Sequence, residues 1–160
     1  MNPAAIRIAI IGGGPTGMAA AYFLARGGVE TTIFEREATL GGVPRHVIPS
    51  FRIAEETIEK DIALMEKQGV EVRCGAPAPS VAELKAMGYT HILFAVGAWK
   101  AGRLDIEGAV AGVIQWMKGV KAGNIAVSGS VAVVGAGNTA MDAARLAKRS
   151  GAESVTIVYR

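Results

Sequence analysis

The sequence of 160 residues predicts an α/β fold in which helices cover both faces of a parallel sheet. Short apolar runs rich in β-branched residues alternate with segments whose apolar residues recur at helical spacing. The first run, residues 6–11, ends in glycines and is followed by a helix pattern and a second strand, which together make one βαβ unit. The same arrangement returns from Val131, so the chain holds two βαβ units of one kind.

The composition and the charge of the chain argue against several classes of protein. Half of the residues are hydrophobic (51%), and the net charge of +3 comes from scattered lysines and arginines, which argues against nucleic acid as a partner. The apolar stretch from Ile8 to Ala25 is interrupted by glycines, so it is not a signal peptide, and no run reaches the roughly 20 apolar residues of a membrane span. Cys74 is the sole cysteine, which excludes a disulfide or a cysteine-held cluster within this chain. We therefore expect a cytoplasmic protein with no membrane partner.

The remaining elements follow from the same periodicities. Residues 40–51 hold two glycines and two prolines and are interpreted as an irregular loop. The region 98–129 is interpreted as a connection that contains an apolar helix pattern at 114–120. His46 and His91 have no partner at metal-ligand spacing, so no metal site is predicted. The predicted strands are 6–11, 29–34, 70–74 and 91–96, the last of them buried, and the predicted helices are 15–26, 53–68 and 81–87.

The first glycine loop carries the fingerprint of dinucleotide-binding, Rossmann-like folds. Gly12 permits a tight turn after the strand, Gly14 lets the backbone approach a pyrophosphate, and Gly17 lets the helix pack closely on the strand. The helix N-terminus offers free N–H groups to the phosphates. Glu35 follows the second strand, where a carboxylate accepts hydrogen bonds from ribose hydroxyl groups.

The second glycine loop differs from the first at the place that contacts ribose. It holds Gly135, Gly137 and Ala140, but Tyr159 stands in the position of Glu35 and is followed by Arg160. Because no acidic side chain stands at this position, a 2′-phosphate would not be repelled there, and the arginine can bind that phosphate. The second loop is therefore predicted to bind NADP(H), and the first to bind an adenosine without a 2′-phosphate, as in FAD.

Five stretches support a family resemblance. The stretches "GGGPTG", "FERE..LGG", "IPSFRI", "AVGAWK" and "GAGNTAMDAA" resemble the flavin-containing pyridine-nucleotide oxidoreductases related to the glutamate synthase small subunit, in the branch of dihydropyrimidine dehydrogenase and selenate reductase subunits. The resemblance implies an FAD/NAD(P)-binding fold in which NADPH delivers a hydride to FAD. Electrons would then pass to an iron-sulfur centre or an electron-accepting partner subunit or domain. It assigns no catalytic residue, since hydride transfer itself needs no acid or base.

By position, the resemblance also implies which residues bind each nucleotide. Gly97 stands where the family has Ala-Thr-Gly, and Val96 lacks the family's hydroxyl. Arg52 is equally well explained by positioning its loop or by contacting flavin, and Asp142 is preferred as a helix-capping residue. The FAD set is Gly12, Gly14, Pro15, Thr16, Gly17, Glu35, Arg36, Gly42 and Gly97, and the NADP(H) set is Gly135, Gly137, Asn138, Thr139, Ala140 and Arg160.

The expected organisation is an FAD-binding part at 1–97, a connection at 98–129, and the first βαβ unit of an NAD(P)H-binding domain at 130–160. The family's return strand and its flavin-holding segment have no counterpart here, so the fold is expected to be incomplete and the chain a fragment of a longer protein. The second βαβ unit is expected to pack on the first part or to pair with a second copy in a homodimer. Two other functions stay open at this point: an interaction module without activity of its own, and a Rossmann protein that binds NAD(P) alone.

Overall fold

A computed structural model of the protein describes residues 6–100, 102, 105–108 and 110–160. The chain forms two compact units. The first comprises the chain up to Arg45 together with Ala54–Gly97, and the second comprises His46–Ile53 together with Ala98–Arg160. None of the helices in the described ranges has the length and apolar character needed to cross a membrane.

The first unit is built on a four-stranded sheet in the order β3-β2-β1-β4, with every neighbouring pair parallel. This arrangement confirms the predicted α/β class. The sheet core includes Ala9, Ile10 and Ile33, none of which is accessible to solvent. The elements are β1 (Arg7–Ile11), α1 (Pro15–Arg26), β2 (Glu30–Glu35), α2 (Gly42–His46), α3 (Glu55–Glu66), β3 (Glu71–Cys74), α4 (Val81–Ala86) and β4 (His91–Phe94).

Two sequence expectations about this unit are wrong. Part of the predicted irregular loop is the short helix α2, because its proline, Pro44, lies in the first turn, where a missing N–H costs no helical hydrogen bond. The strand predicted at 91–96 is not buried: β4 ends at Phe94, whose side chain is 63% exposed. An apolar run suggested burial, but among the strands that the structure describes β4 lies at the edge of the sheet and pairs with β1 alone.

A polar network lies beside the core of this unit. The Tyr89 hydroxyl donates to Thr32 Oγ1 (2.9 Å), which donates to Glu71 Oε2 (3.0 Å). The Arg73 guanidinium hydrogen-bonds Glu71 Oε1 at 2.9 Å and, with help from Thr32, lowers the pKa of the Glu71 carboxyl. The network links β2 to β3 through their side chains as well as through the ladder.

Because the pKa of Glu71 is lowered in the folded protein, the contribution of this residue to stability depends on pH in a definite direction. A folded pKa below the unfolded one means that the ionised carboxylate stabilises the fold above the ordinary glutamate pKa, and that this contribution is lost as the pH falls through the folded pKa. We expect Glu71→Gln to lower the urea midpoint more at pH 7 than at pH 3. Equal losses at both pH values would contradict this assignment.

The second unit contains the repeated βαβ arrangement and one further helix. Its strands β5 (Ser130–Val134) and β6 (Ser154–Val158) are parallel, with α6 (Asn138–Arg149) between them in the chain. The helix pattern predicted at 114–120 is observed as α5 (Val113–Lys121). The unit also includes His46–Ile53, which periodicity does not reveal, because a loop's packing partner is a tertiary property.

Candidate functional site

The loop between β1 and α1, together with the first turn of α1, accepts only glycine at two places. Gly12 has a φ of 109°, and its N–H donates to the Phe34 carbonyl at 2.8 Å. A Cβ at Gly12 would also lie 2.5 Å from the Ala95 carbonyl oxygen. A Cβ at Gly17 would overlap the Gly12 carbonyl oxygen and lie 3.1 Å from its carbon. The glycine pattern therefore sets a tight turn and a close approach of α1 to β1.

Gly14 and Gly42, far apart in the sequence, face each other in the first unit. A Cβ on Gly14 would lie 3.8 Å from the Gly42 Cα, and a Cβ on Gly42 would lie 2.8 Å from the Gly14 Cα. The Gly41 N–H donates to the Gly13 carbonyl at 2.8 Å and ties the two loops together. The result is a strip of bare backbone beside the start of α1.

The N-terminus of α1 is open to an anion. Gly14 is its N-cap residue, no side chain caps the helix, and no acidic residue lies in its first turn. Pro15 opens the helix and Thr16 follows it, and both are exposed. By contrast, Ser80 and Glu83 form a complete capping box on α4. First-turn N–H groups and the helix dipole favour phosphate at such a place.

Glu35 is fixed at the end of β2 by backbone donors. Its Oε2 accepts from the Gly13 N–H at 2.6 Å, its Oε1 accepts from the Glu37 N–H at 2.9 Å, and the residue is only 7% exposed. A carboxylate has about four lone-pair sites, so two remain for other donors such as ribose hydroxyl groups. The structure thus brings Glu35 to the first glycine loop, together with Gly12, Gly14, Gly17 and Gly42.

Two residues of the predicted FAD set stand apart from this cluster. Arg36 is exposed and pairs with Glu37 at 3.6 Å. Gly97 has a φ of 71° and is exposed, although Val96, its neighbour, passes beside Gly12. Cys74 at the end of β3 is not poised for thiolate chemistry, because burial raises the pKa of its thiol and the negative charges of Glu35 and Glu66 add to the effect.

The second glycine loop repeats the backbone of the first. Gly135 has a φ of 118°, and its N–H donates to the Val158 carbonyl at 2.8 Å, as Gly12 donates to Phe34. This bond fixes the correspondence between the two copies, so Tyr159 occupies the place of Glu35. The N-terminus of α6 is likewise open: Gly137 is the N-cap residue, and neither a capping side chain nor a first-turn acid is present.

The second loop is less crowded than the first. A Cβ built on Gly137 would meet nothing within 4 Å, and the Ala140 methyl lies 3.8 Å from a Cβ built on Gly135. Tyr159 is 72% exposed. The predicted residues Asn138, Thr139 and Arg160 are exposed as well. The structure therefore places the predicted set of this loop at one open end of the β5-β6 pair.

Sequence reasoning named Gly42 in the segment after Glu35 but missed Leu40, which covers the first loop. A Cβ at Gly13 would collide with the Leu40 side chain and lie 3.2 Å from Glu35 Oε2. The second loop has Ala136 at this place. The triplet Leu40-Gly41-Gly42 is the signal that could have identified this cover, since it follows the strand that carries Glu35.

Comparisons with known proteins show which family this chain resembles. The family described as pyridine nucleotide-disulphide oxidoreductase matches residues 6–160. The protein YgfK of Escherichia coli (strain K12) is 43% identical over 159 residues, which are 96% of this chain and 15% of that protein. The NAD-dependent dihydropyrimidine dehydrogenase subunit PreT of the same strain is 33% identical over 96% of this chain and 39% of its own length.

A third relative and two solved structures extend the comparison. The NADPH-Fe(3+) oxidoreductase subunit beta of Geobacter sulfurreducens is 34% identical over 96% of this chain and 25% of that subunit. A 2-naphthoyl-CoA reductase structure has a TM-score of 0.75 at 25% identity and covers 98% of this chain and 24% of its own. Mycobacterium tuberculosis FprA in complex with NADPH shares the fold, with a TM-score of 0.74 at 20% identity over 95% of this chain and 42% of its own. The chain thus spans 15% to 39% of the length of these curated relatives.

Proposed function

The chain belongs to the pyridine nucleotide-disulphide oxidoreductase family, and from this premise we propose that its first glycine loop binds FAD and its second binds NADP(H). The chain would then be the nucleotide-binding part of a flavoprotein oxidoreductase. Its residues hold and orient the two nucleotides, and none of them is assigned an acid or base role.

One observation carries the proposal: the two loops have matching backbone hydrogen bonds but differ at the residue proposed to contact ribose. The Gly12 N–H donates to the Phe34 carbonyl and the Gly135 N–H donates to the Val158 carbonyl, both at 2.8 Å. Because Glu35 and Tyr159 each directly follow the accepting residue, they occupy equivalent positions in the two units. A carboxylate would repel a 2′-phosphate, whereas a phenol followed by Arg160 would allow this phosphate to bind.

The residues of the first loop fit FAD. The glycine strip of Gly14 and Gly42 leaves room for a pyrophosphate, which the uncapped start of α1 would stabilise. The two spare lone-pair positions of Glu35 suit the ribose hydroxyl groups. When bound, FAD supplies the acceptor for the hydride that NADPH gives up in becoming NADP⁺.

The choice of NADP(H) over NAD(H) rests on this chain's own residues, because the names of the relatives divide. PreT is named as NAD-dependent, and the Geobacter sulfurreducens protein is named as NADPH-linked. Both names describe subunits, which supports an electron-accepting partner for the whole protein. We propose an iron-sulfur centre in that partner, and we expect this chain by itself not to oxidise NADPH.

The direct test of the first site is flavin binding. We expect the purified chain to bind FAD, seen as a shift of the flavin absorption band and as quenching of flavin fluorescence during titration. A chain that stays colourless after incubation with FAD and gives no heat of binding would overturn FAD binding by this chain and favour an interaction module.

The nucleotide preference of the second site is tested at Tyr159. We expect Tyr159→Glu to weaken NADPH binding about tenfold and to leave NADH binding unchanged or stronger, because the new carboxylate repels the 2′-phosphate. The effect is moderate because the residue is 72% exposed and solvent screens the repulsion. Isothermal titration with both nucleotides measures it, with Tyr159→Gln as the neutral control. An equal loss in both variants would show that the phenol itself, rather than charge, is responsible.

A further inference from the structure

A cluster of charged and aromatic side chains joins the loop 46–53 to α6 within the second unit. Two guanidinium groups lie over the Phe51 ring, those of Arg145 and Arg149, at 4.6 Å and 4.4 Å from the ring centroid. Arg52 Nε lies 3.2 Å from Asp142 Oδ1. Phe51, Arg52, Asp142 and Arg145 line a cavity of about 340 Å³, and the proposed function assigns this cluster no role.

Asp142 is the unusual member of this cluster. The residue is 7% exposed, whereas the Arg52 side chain that pairs with it is 45% exposed. A buried carboxylate is costly unless an opposite charge compensates it, and Arg52 supplies that charge. Arg145 also lines the cavity, but its guanidinium lies over the Phe51 ring.

The position of Asp142 connects this ion pair with the second glycine loop. Asp142 is four residues beyond Asn138, the first residue of α6, which is about 6 Å along the helix axis. Cα–Cβ bonds on a helix tilt toward its N-terminus, and this tilt favours an approach of the Asp142 carboxylate to the open first turn. An uncompensated negative charge there would weaken the attraction of the helix N-terminus for phosphate.

The first copy has no such charge. The residue that corresponds to Asp142 in the first βαβ unit is Ala19, which is exposed. A neutral residue at this helix position therefore occurs in the same fold, and the acid belongs to the second copy alone. It is also in the second copy that the loop 46–53 places an arginine, Arg52, beside this acid.

We propose that Arg52 is a positioning residue for the second nucleotide site: by neutralising Asp142, it keeps the N-terminus of α6 positive enough to bind the pyrophosphate of NADP(H). This inference rests on the proposed function of the second loop. It assigns Arg52 an electrostatic role at the second site, which differs from both the loop-positioning and the flavin-contact roles that the sequence left open.

The test is NADPH titration of the full chain at low ionic strength with Arg52→Gln, Asp142→Asn and the double variant. We expect Arg52→Gln to weaken binding about tenfold, because one unpaired charge acts across roughly 10 Å of poorly screened space. Asp142→Asn should bind NADPH more tightly than the wild type, and the double variant should return to within about twofold of it. NADH should respond in the same way, since the pyrophosphate is common to both nucleotides.

The outcomes separate this inference from the proposed function. A wild-type chain that binds no NADPH overturns the second-site assignment itself. A wild-type chain that binds NADPH, with a double variant as weak as Arg52→Gln, overturns the electrostatic role and leaves a purely structural one. Should Arg52→Gln fail to fold, Asp142→Asn still decides, because unchanged or weaker binding by that variant contradicts the inference.

Discussion

Replacing Gly17 with alanine should destabilise the first unit by about 2 kcal/mol and abolish FAD binding. The new Cβ would overlap the Gly12 carbonyl oxygen and lie 3.3 Å from Ile10 Cγ2, so α1 would have to move off β1. Alanine improves helix propensity by about 1 kcal/mol over glycine, and overpacking against backbone costs more than that. Urea unfolding followed by circular dichroism measures the stability, and fluorescence titration measures FAD binding.

The second copy supplies the matched control for this substitution. Ala140 holds the corresponding place on α6, where a methyl group is therefore already accommodated. Ala140→Gly should therefore cost only the helix propensity of about 1 kcal/mol. A Gly17→Ala variant that is as stable as the wild type would show that the close approach of α1 to β1 is not required.

Replacing Glu35 with alanine should lower FAD affinity about a hundredfold and destabilise the first unit by about 2 kcal/mol. The substitution removes the acceptor for two backbone N–H groups, those of Gly13 and Glu37, in a place that is 7% exposed. It also removes the two lone-pair positions proposed for ribose. Loss of stability and loss of affinity should therefore occur together.

The amide variant Glu35→Gln separates these two effects. One oxygen of the amide can still accept a backbone N–H, but the other side of the group becomes a donor and opposes the second N–H. We expect a smaller loss of stability than in Glu35→Ala but a similar loss of FAD affinity, measured by urea unfolding and by titration. FAD affinity unchanged in both variants would contradict the ribose assignment.

The sequence predicted the features that depend on local pattern. Glycines that directly follow a buried strand and open a helix indicate the turn at Gly12 and its repeat at Gly135, and both are observed with positive φ. The apolar spacing of Ile58, Ile62 and Met65 predicted a helix whose buried face the structure confirms. Such features depend on neighbours in the chain and can therefore be inferred without the tertiary structure.

Features that depend on tertiary neighbours were not predictable in this way. The strand β4 is exposed because it lies at the edge of the sheet, and the composition of a strand does not reveal that position. The cover of Gly13 by Leu40 and the ion pair of Arg52 with Asp142 join residues from different parts of the chain. Sequence reasoning preferred a capping role for Asp142, whereas the structure pairs its carboxylate with a guanidinium.

The central claim is that the two glycine loops, which have the same backbone conformation, bind different nucleotides. Gly14 and Gly137 are the matched positions for testing it, because both have negative φ (−79° and −75°) and neither leaves a Cβ closer than 3.8 Å to another group. Alanine at either place should therefore be compatible with folding while blocking the approach of a pyrophosphate.

The most direct measurement is a pair of titrations, with FAD and with NADPH, on Gly14→Ala and Gly137→Ala. The proposal predicts that Gly14→Ala loses FAD binding and keeps NADPH binding, and that Gly137→Ala does the reverse. Loss of both nucleotides in one variant, or of neither in both, would contradict the assignment of one nucleotide to each loop.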